Sequence, residues 1–240
     1  MRTNTFNIYC MSHNRAKETT SYKCLEYCTY VVREEQEEEY RAQGINDLLL
    51  IPKGAVFDFM STFYWIIENT PEDVIFICDD DIANPVYRTN QYRSLKNDDG
   101  SFECETITSE IERIAQLLVD LEKGYATTPV SGAMYNYVKE FEFKKIPSGV
   151  RWVNKKHFKA EYNPDDPATS DIDTVYQELA KNRIILSPVY FVFNTKMYDK
   201  TGTPEQAEEL EATIQGMKNK WGRYVGYNYK RNYYNINVKR

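Results

Sequence analysis

The chain has 240 residues, a formal net charge of −6 and only two histidines. That length suits one large α/β domain with a substantial core. The net negative charge argues against nucleic-acid binding by global attraction, and no apolar run approaches the roughly 20 residues of a membrane span.

Strand and helix signals alternate through the first half. Residues 6–11 (FNIYCM) read as a strand, 12–15 (SHNR) as a polar turn and 17–28 as a helix. A short strand over 29–32 precedes charged helical turns over 34–42, closed by Gly44. Residues 48–51 (LLLI) form a third strand, stopped by Pro52. An amphipathic helix over 57–68 ends before Pro71. The unbroken apolar run 74–78 (VIFIC) is expected of a fully buried strand. This order predicts a mostly parallel sheet with right-handed crossovers.

The second half is less regular. Residues 86–103 are polar and read as a loop. Ile107, Ile111, Ile114, Leu117, Leu118 and Leu121 share one face of a helix over 106–122. A strand over 125–130 follows, then antiparallel strands and loops over 134–160 that are rich in aromatics and lysine. Ser170 or Thr169 is the expected cap of a helix over 171–181. A strand over 184–193 is interrupted by Pro188, and Pro204 begins a polar helix over 204–219. With no repeat and no low-complexity linker, residues 1–240 are expected to form a single domain.

The five cysteines are odd in number and match no zinc-binding spacing. Cys24 and Cys28 lie four apart, on one face of the expected 17–28 helix. The expectation is reduced, packed thiols in an intracellular protein. Residues 1–11 lack a basic segment followed by a long apolar one, so no signal peptide is expected and the predicted location is cytoplasmic.

The chemistry concentrates in Asp79-Asp80-Asp81, directly after the buried strand. In open α/β sheets, ligands bind beyond the carboxyl ends of strands. In extended chain, Asp79 and Asp81 share a face and Asp80 takes the other. Neighbouring carboxylates repel unless a cation compensates. Magnesium is commonly held by one or two carboxylates together with substrate phosphates. The triplet therefore reads as a site for a divalent cation and a phosphate-bearing ligand. A solvated acidic turn is the alternative.

The stretches IYCMSHNRA, LLLIP and VIFICDDDI, in this order of elements, resemble the GT-A fold of nucleotide-sugar glycosyltransferases, which carry a D-x-D motif at this place. Within that fold they look most like the phage glycosyltransferases associated with TET-type DNA oxygenases. The resemblance covers roughly the first 85 residues, and 165–190 less well. It implies a Rossmann-like mixed central sheet flanked by helices, with antiparallel additions in the second half. Residues 1–85 would bind the nucleotide sugar, and 86–240 would bind the acceptor. It further implies Mn2+ or Mg2+ as cofactor, a nucleotide-diphosphate sugar as donor, and a hydroxymethylated pyrimidine in DNA as acceptor. If the chain is phage-encoded, its cytoplasm is that of the host.

Carried over to this chain, the resemblance makes Asp79 and Asp81 the outer members of D-x-D and the metal ligands, with Asp81 the direct one. Asp79 would also reach the ribose or sugar, and Asp80 would lie on the donor side. Ser12, Asn14 and Arg15 occupy the place where this fold receives the nucleotide, and Arg15 suits a phosphate clamp. A surface ion pair is its other reading. Glu34 follows the second strand, where such enzymes set an acidic residue against base or ribose. It also begins the acidic run 34–39, most of which reads more readily as a solvated helix face. Asp171 is the first choice for general base and Asp173 the second. Both also suit a helix N-terminus through its dipole. Many GT-A enzymes add a C-terminal histidine to the metal. Here His13 and His157 are the only histidines and neither is C-terminal.

Residues 217–240 hold seven Lys or Arg, no Asp or Glu, and interleaved Trp221, Tyr224, Tyr227, Tyr229, Tyr233 and Tyr234. Cations with aromatic platforms suit nucleic acid, although a lysine-guarded edge strand has the same composition. Residues 139–145 together with Arg151, Trp152, Lys155, Lys156 and Lys159 form a second such zone. Two rival readings stand beside glycosyl transfer. A nucleotidyltransferase would use the same acidic site but usually has a glycine-rich phosphate loop, which residues 12–15 lack. A non-catalytic nucleic-acid-binding module would need the basic zones but not the triplet.

Overall fold

The computed structural model describes residues 5–88, 92–129, 139–195, 204–230 and 233–238. A six-stranded sheet organises the chain. Its members are β1 (Phe6–Met11), β2 (Thr29–Arg33), β3 (Leu48–Ile51), β4 (Val74–Asp79), β7 (Tyr125–Thr127) and β9 (Val150–Asn154), in the order β3-β2-β1-β4-β9-β7. The first four are mutually parallel. β9 runs antiparallel to both β4 and β7. The sheet is thus mixed, as expected, and β9 enters it from more than 70 residues beyond β4.

Two smaller antiparallel units stand beside it. β5 (Ile82–Arg88) pairs with β6 (Tyr92–Ser94) and β11 (Phe191–Thr195), while β8 (Phe141–Glu142) pairs with β10 (Ser187–Pro188). A C-terminal hairpin joins β12 (Val225–Asn228) to β13 (Tyr233–Ile236). The helices are α1 (Glu37–Ala42), α2 (Phe59–Asn69), α3 (Cys104–Asp120), α4 (Asp171–Asn182) and α5 (Pro204–Trp221). Local chemistry explains their starts. Asp58 and Ser61 form a capping box at α2, and the Ser170 hydroxyl accepts from the Asp173 N–H at 3.1 Å to cap α4.

The two faces of the sheet carry separate apolar cores. One joins Ile8, Val32, Phe76 and Trp152 to Ile107, Ile111, Ile114 and Leu118 of α3. The Trp152 indole N–H donates to the Ile111 carbonyl at 2.9 Å, which fixes α3 across β9. The other core joins Tyr9, Ile75, Ile77 and Val153 to α2 and α4. A third, smaller cluster seats the hairpin and the end of α5 on Tyr176.

Several expected elements differ. Residues 17–28 form no α-helix, only a 3-10 turn at Ser21–Lys23. Their hydroxyls and N–H groups turn to the acidic triplet instead. Thr20 and Ser21 N–H donate to the Asp80 carbonyl at 2.8 and 3.2 Å, and the Ser21 hydroxyl donates to the Asp79 carbonyl at 2.7 Å. Ser and Thr side chains that find backbone partners compete with helix formation. The region 86–103 is no simple loop, since it holds the end of β5 and all of β6. Arg88 is buried there because its guanidinium donates to the Val189 carbonyl at 2.9 and 2.6 Å. Pro85 is tolerated inside β5 because the pairing with β11 shifts register next to its partner Phe193. The strand over 184–193 is divided into β10 and β11. In the span 125–130 the strand ends at Thr127, and residue 130 lies outside the described residues, as do 134–138 of the next span.

Gly124, just before β7, has no room for a side chain. An added Cβ would sit 2.5 Å from the His157 carbonyl oxygen and 2.6 Å from Phe158 Cα, both backbone atoms. Gly124→Ala is therefore expected to lower stability by about 1–3 kcal/mol, read as a lower urea midpoint with an unchanged slope.

Candidate active site: an acidic cleft at the strand ends

A cleft of about 460 Å3 opens beyond the carboxyl ends of β1, β2, β3 and β4. The volume falls within the range of small-ligand sites. Its position is the switch point of the sheet, where β2 lies on one side of β1 and β4 on the other. Asp79, Asp80 and Asp81 line it together with Ser12, His13, Arg15 and Arg33. Met11, Val31 and Ile51 supply apolar floor, and the exposed rings of Phe57 and Phe59 stand at its wall.

The three carboxylates take different partners. Asp80 turns inward, accepting from the Ser12 hydroxyl at 2.6 Å and pairing with Arg15 at 2.9 Å. Ser12 spends its proton on Asp80, so the Tyr40 hydroxyl must donate to Ser12. Burial raises the Asp80 carboxyl above its ordinary range, partly offset by Ser12 and Arg15. Asp81 reaches the other arm of Arg15 at 3.4 Å. Asp79 pairs with Arg151 at 3.1 Å. Burial pushes the Asp79 carboxyl up to about 6. Arg151 opposes that shift, and the negative charges of Asp81 and Asp171 add to it.

Arg151 is the residue that sequence reading placed wrongly. It was grouped with Trp152 in a basic-aromatic zone suited to nucleic acid, yet both lie in β9 with every residue buried. Its guanidinium bridges Asp79 and Asp171, the latter at 3.5 Å, and stacks 4.8 Å from the Phe59 ring centre. One signal was available: a lone charge inside the apolar run VRWVN. Lys155 also leaves the basic-aromatic zone, since its ammonium donates to the Thr70 carbonyl and hydroxyl at 2.6 and 2.7 Å.

The other expected site residues divide. Ser12, Arg15, Asp79, Asp80 and Asp81 meet at the cleft, and Asp171 joins them through Arg151. Asn14 sits in left-handed backbone with φ 56° and turns its amide to Gln36 and His13. Glu34 accepts from the Lys53 N–H at 2.9 Å, in the turn after β3. Neither lines the cleft. Asp173 is buried and held by Lys220 at 2.9 Å, the Trp221 indole at 2.7 Å and the Gln177 amide at 2.8 Å. It anchors α5 to α4. The Asp79 and Asp81 carboxylates offer the oxygen ligands that a hard divalent cation takes. About a third of the Asp79 side chain is exposed to the cleft despite its arginine.

No family model matches the sequence, and no curated protein sequence matches it. Solved structures do share its fold. Glucosyl-3-phosphoglycerate synthase from Mycobacterium tuberculosis, in complex with Mn2+, UDP-glucose and phosphoglyceric acid, superposes with a TM-score of 0.56 at 9% identity, covering 97% of this chain and 86% of that one. A mannosyltransferase from Pyrobaculum calidifontis, in complex with GDP-mannose and Mn2+, gives 0.60 at 12% identity, covering 91% of this chain and 64% of that one. The same M. tuberculosis synthase with Mg2+ and UDP gives 0.53 at 9% identity, covering 97% of this chain and 87% of that one. The chain has the GT-A glycosyltransferase fold. Among the described residues no helix is long and apolar enough to cross a membrane.

The pairing of Arg151 with two carboxylates carries an energetic consequence. Removing one partner of a buried ion pair costs roughly 3–5 kcal/mol, and the partial exposure of Asp79 and Asp171 places Arg151→Met near the lower end. The double variant Asp79→Asn with Arg151→Met should recover part of that loss, as read by a double-mutant cycle in chemical denaturation.

Proposed function

We propose that this protein is a metal-dependent glycosyltransferase that moves a sugar from a nucleotide diphosphate to a hydroxyl acceptor. The observation that carries the reading is the placement of Asp79 and Asp81 in a cleft at the switch point of a GT-A sheet, beside the cationic Arg15. Both solved relatives described above were captured with Mn2+ and a nucleotide sugar. That likeness supports the class of chemistry, whereas the roles below rest on this chain's own residues.

Asp81 and Asp79 would hold Mn2+ or Mg2+, their oxygens matching a hard cation. When bound, such an ion supplies positive charge against the diphosphate that departs. Arg15 already spans Asp80 and Asp81, and its guanidinium suits phosphate oxygens at the same edge. Ser12 and Asp80 keep that guanidinium in place. Met11, Val31 and Ile51, with Phe57 at the wall, offer an apolar slot for a nucleobase. Asp171 is the proposed base that takes the acceptor's proton as its oxygen bonds to the anomeric carbon. Arg151 holds it within the same cluster as Asp79. Residues 1–85 form the donor half of the proposal and 86–240 the acceptor half.

For the acceptor, the finer reading is a hydroxymethylated pyrimidine in DNA. It is supported by the C-terminal unit, where Tyr224, Tyr229 and Tyr233 are exposed and Arg223 lies over the Tyr224 ring. A cavity of about 890 Å3 is lined there by Arg183, Arg223, Tyr176, Trp221 and Tyr224. Cations and exposed rings suit phosphate neutralisation and base stacking. Duplex DNA containing hydroxymethylcytosine should bind in fluorescence anisotropy, and Arg223→Ala should reduce the salt dependence. Absence of binding at low salt would remove the DNA acceptor and leave the donor reading intact.

Incubation with common sugar nucleotides and Mn2+ should release nucleoside diphosphate, and the free diphosphate with Mn2+ should raise the melting temperature. Asp81→Ala should abolish both signals. Full activity in that variant would refute the site, and silence with every donor would refute the transferase. Proton and cation compete for Asp79, whose carboxyl is raised to about 6. Diphosphate-dependent Mn2+ affinity should therefore hold above that pH and fall below it, by up to about tenfold per pH unit, in calorimetric titrations between pH 5 and 8.

A further inference from the structure

Three cysteines that are far apart in sequence meet directly beneath the acidic turn. Cys10 on β1 and Cys78 on β4 are register partners in adjacent parallel strands, so their side chains leave the same face. Cys28 immediately precedes β2 on the other side of β1. The three Sγ atoms all lie within 4.8 Å of one another. All three are free thiols. Cys10 and Cys78 are fully buried, and Cys28 is only partly so.

We propose that Cys10, Cys28 and Cys78 form a thiolate site for one soft divalent cation, Zn(II), separate from the oxygen ligands at Asp79 and Asp81. Tetrahedral zinc with Zn–S distances of about 2.3 Å places its sulfurs about 3.8 Å apart, inside the observed limit. Thiolates select soft cations, while carboxylates take hard ones, so the two sites sort different metals. Charge favours a divalent ion over Cu(I). Three thiolates around Zn(II) leave one net negative charge in the core, and around Cu(I) they leave two. The Asp80 carboxylate acts unfavourably on the Cys10 thiolate, so the smaller residue is the cheaper one. Among the described His, Cys, Asp and Glu residues no fourth group joins the cluster. The fourth zinc position would be left to water or another small ligand.

The placement gives the site a consequence. Cys10 lies two residues before Ser12 and Cys78 one residue before Asp79, so an ion here ties β1, β4 and the start of β2 just under the cleft.

The test uses the full chain, reduced and stripped with a chelator. Titration with Co(II) should produce a thiolate-to-cobalt absorption band, which carboxylate ligands do not give, and one equivalent of Zn(II) should abolish it. Zn(II) should also raise the melting temperature. Cys28→Ser changes the least buried of the three. It should weaken Zn(II) binding beyond the roughly 100-fold that follows loss of a supporting group, while Cys104→Ser leaves it unchanged. Equal metal-free melting of Cys28→Ser and the parent protein shows that the variant folds. The proposal is overturned by absence of the cobalt band, by equal Zn(II) affinity in Cys28→Ser, by Cu(I) binding with Zn(II) excluded, or by a disulfide between any two of the three in freshly isolated protein.

Discussion

Three consecutive carboxylates at the end of a buried strand repel one another, and the rest of the structure is arranged around relieving that repulsion. Two guanidinium groups do it from opposite sides. Arg15 comes from the turn after β1 and takes Asp80 and Asp81. Arg151 comes from β9 and takes Asp79, extending to Asp171 at the start of α4. Burying either guanidinium is costly unless it is paired and hydrogen-bonded. The acidic turn therefore ties the turn after β1 and the starts of β9 and α4 to the end of β4, and a cleft opens where the charges converge.

The backbone of the turn is held as firmly as its side chains. Thr19, Thr20 and Ser21 close over the carbonyls of Asp79 and Asp80. This clasp consumes the hydroxyls that would otherwise be neutral passengers in a helix. The result is a rigid acidic edge facing a cleft with an apolar floor, a division of labour that suits a ligand with both a flat ring and phosphates. A second division appears in the ion pairs. Asp171 shares an arginine with the cleft, whereas Asp173, two residues on, faces away and fastens α5 through Lys220 and Trp221. Successive helix positions point in different directions, so one acidic pair serves two unrelated ends.

Much of the fold was legible where its signals are local. An apolar run of five residues ended by acids reads as a buried strand meeting a polar edge, and β1, β3, β4, α3 and α4 fall close to their expected limits. The misreadings share a cause. Residues 17–28 have helical spacing but hydroxyls whose partners lie on the turn after β4. Residues 86–103 look polar, yet they hold the end of β5, which pairs with β11 from a distant part of the chain, and Arg88 is buried because the Val189 carbonyl meets it there. Asn14 sits in the expected turn after β1 and Glu34 directly after β2, but their side chains are claimed by Gln36 and the Lys53 N–H.

What the sequence determined by itself was the alternation of elements and the acidic edge, since both arise from interactions within a few residues of chain. Only the tertiary structure decided the charge balance and the thiol cluster. Arg151 reaches Asp79 across 72 residues. Cys10, Cys28 and Cys78 show no metal-binding spacing because β1, β4 and the approach to β2, and not a local loop, bring them together. Sheet register sets such contacts, and register is a property of paired strands that no single segment contains.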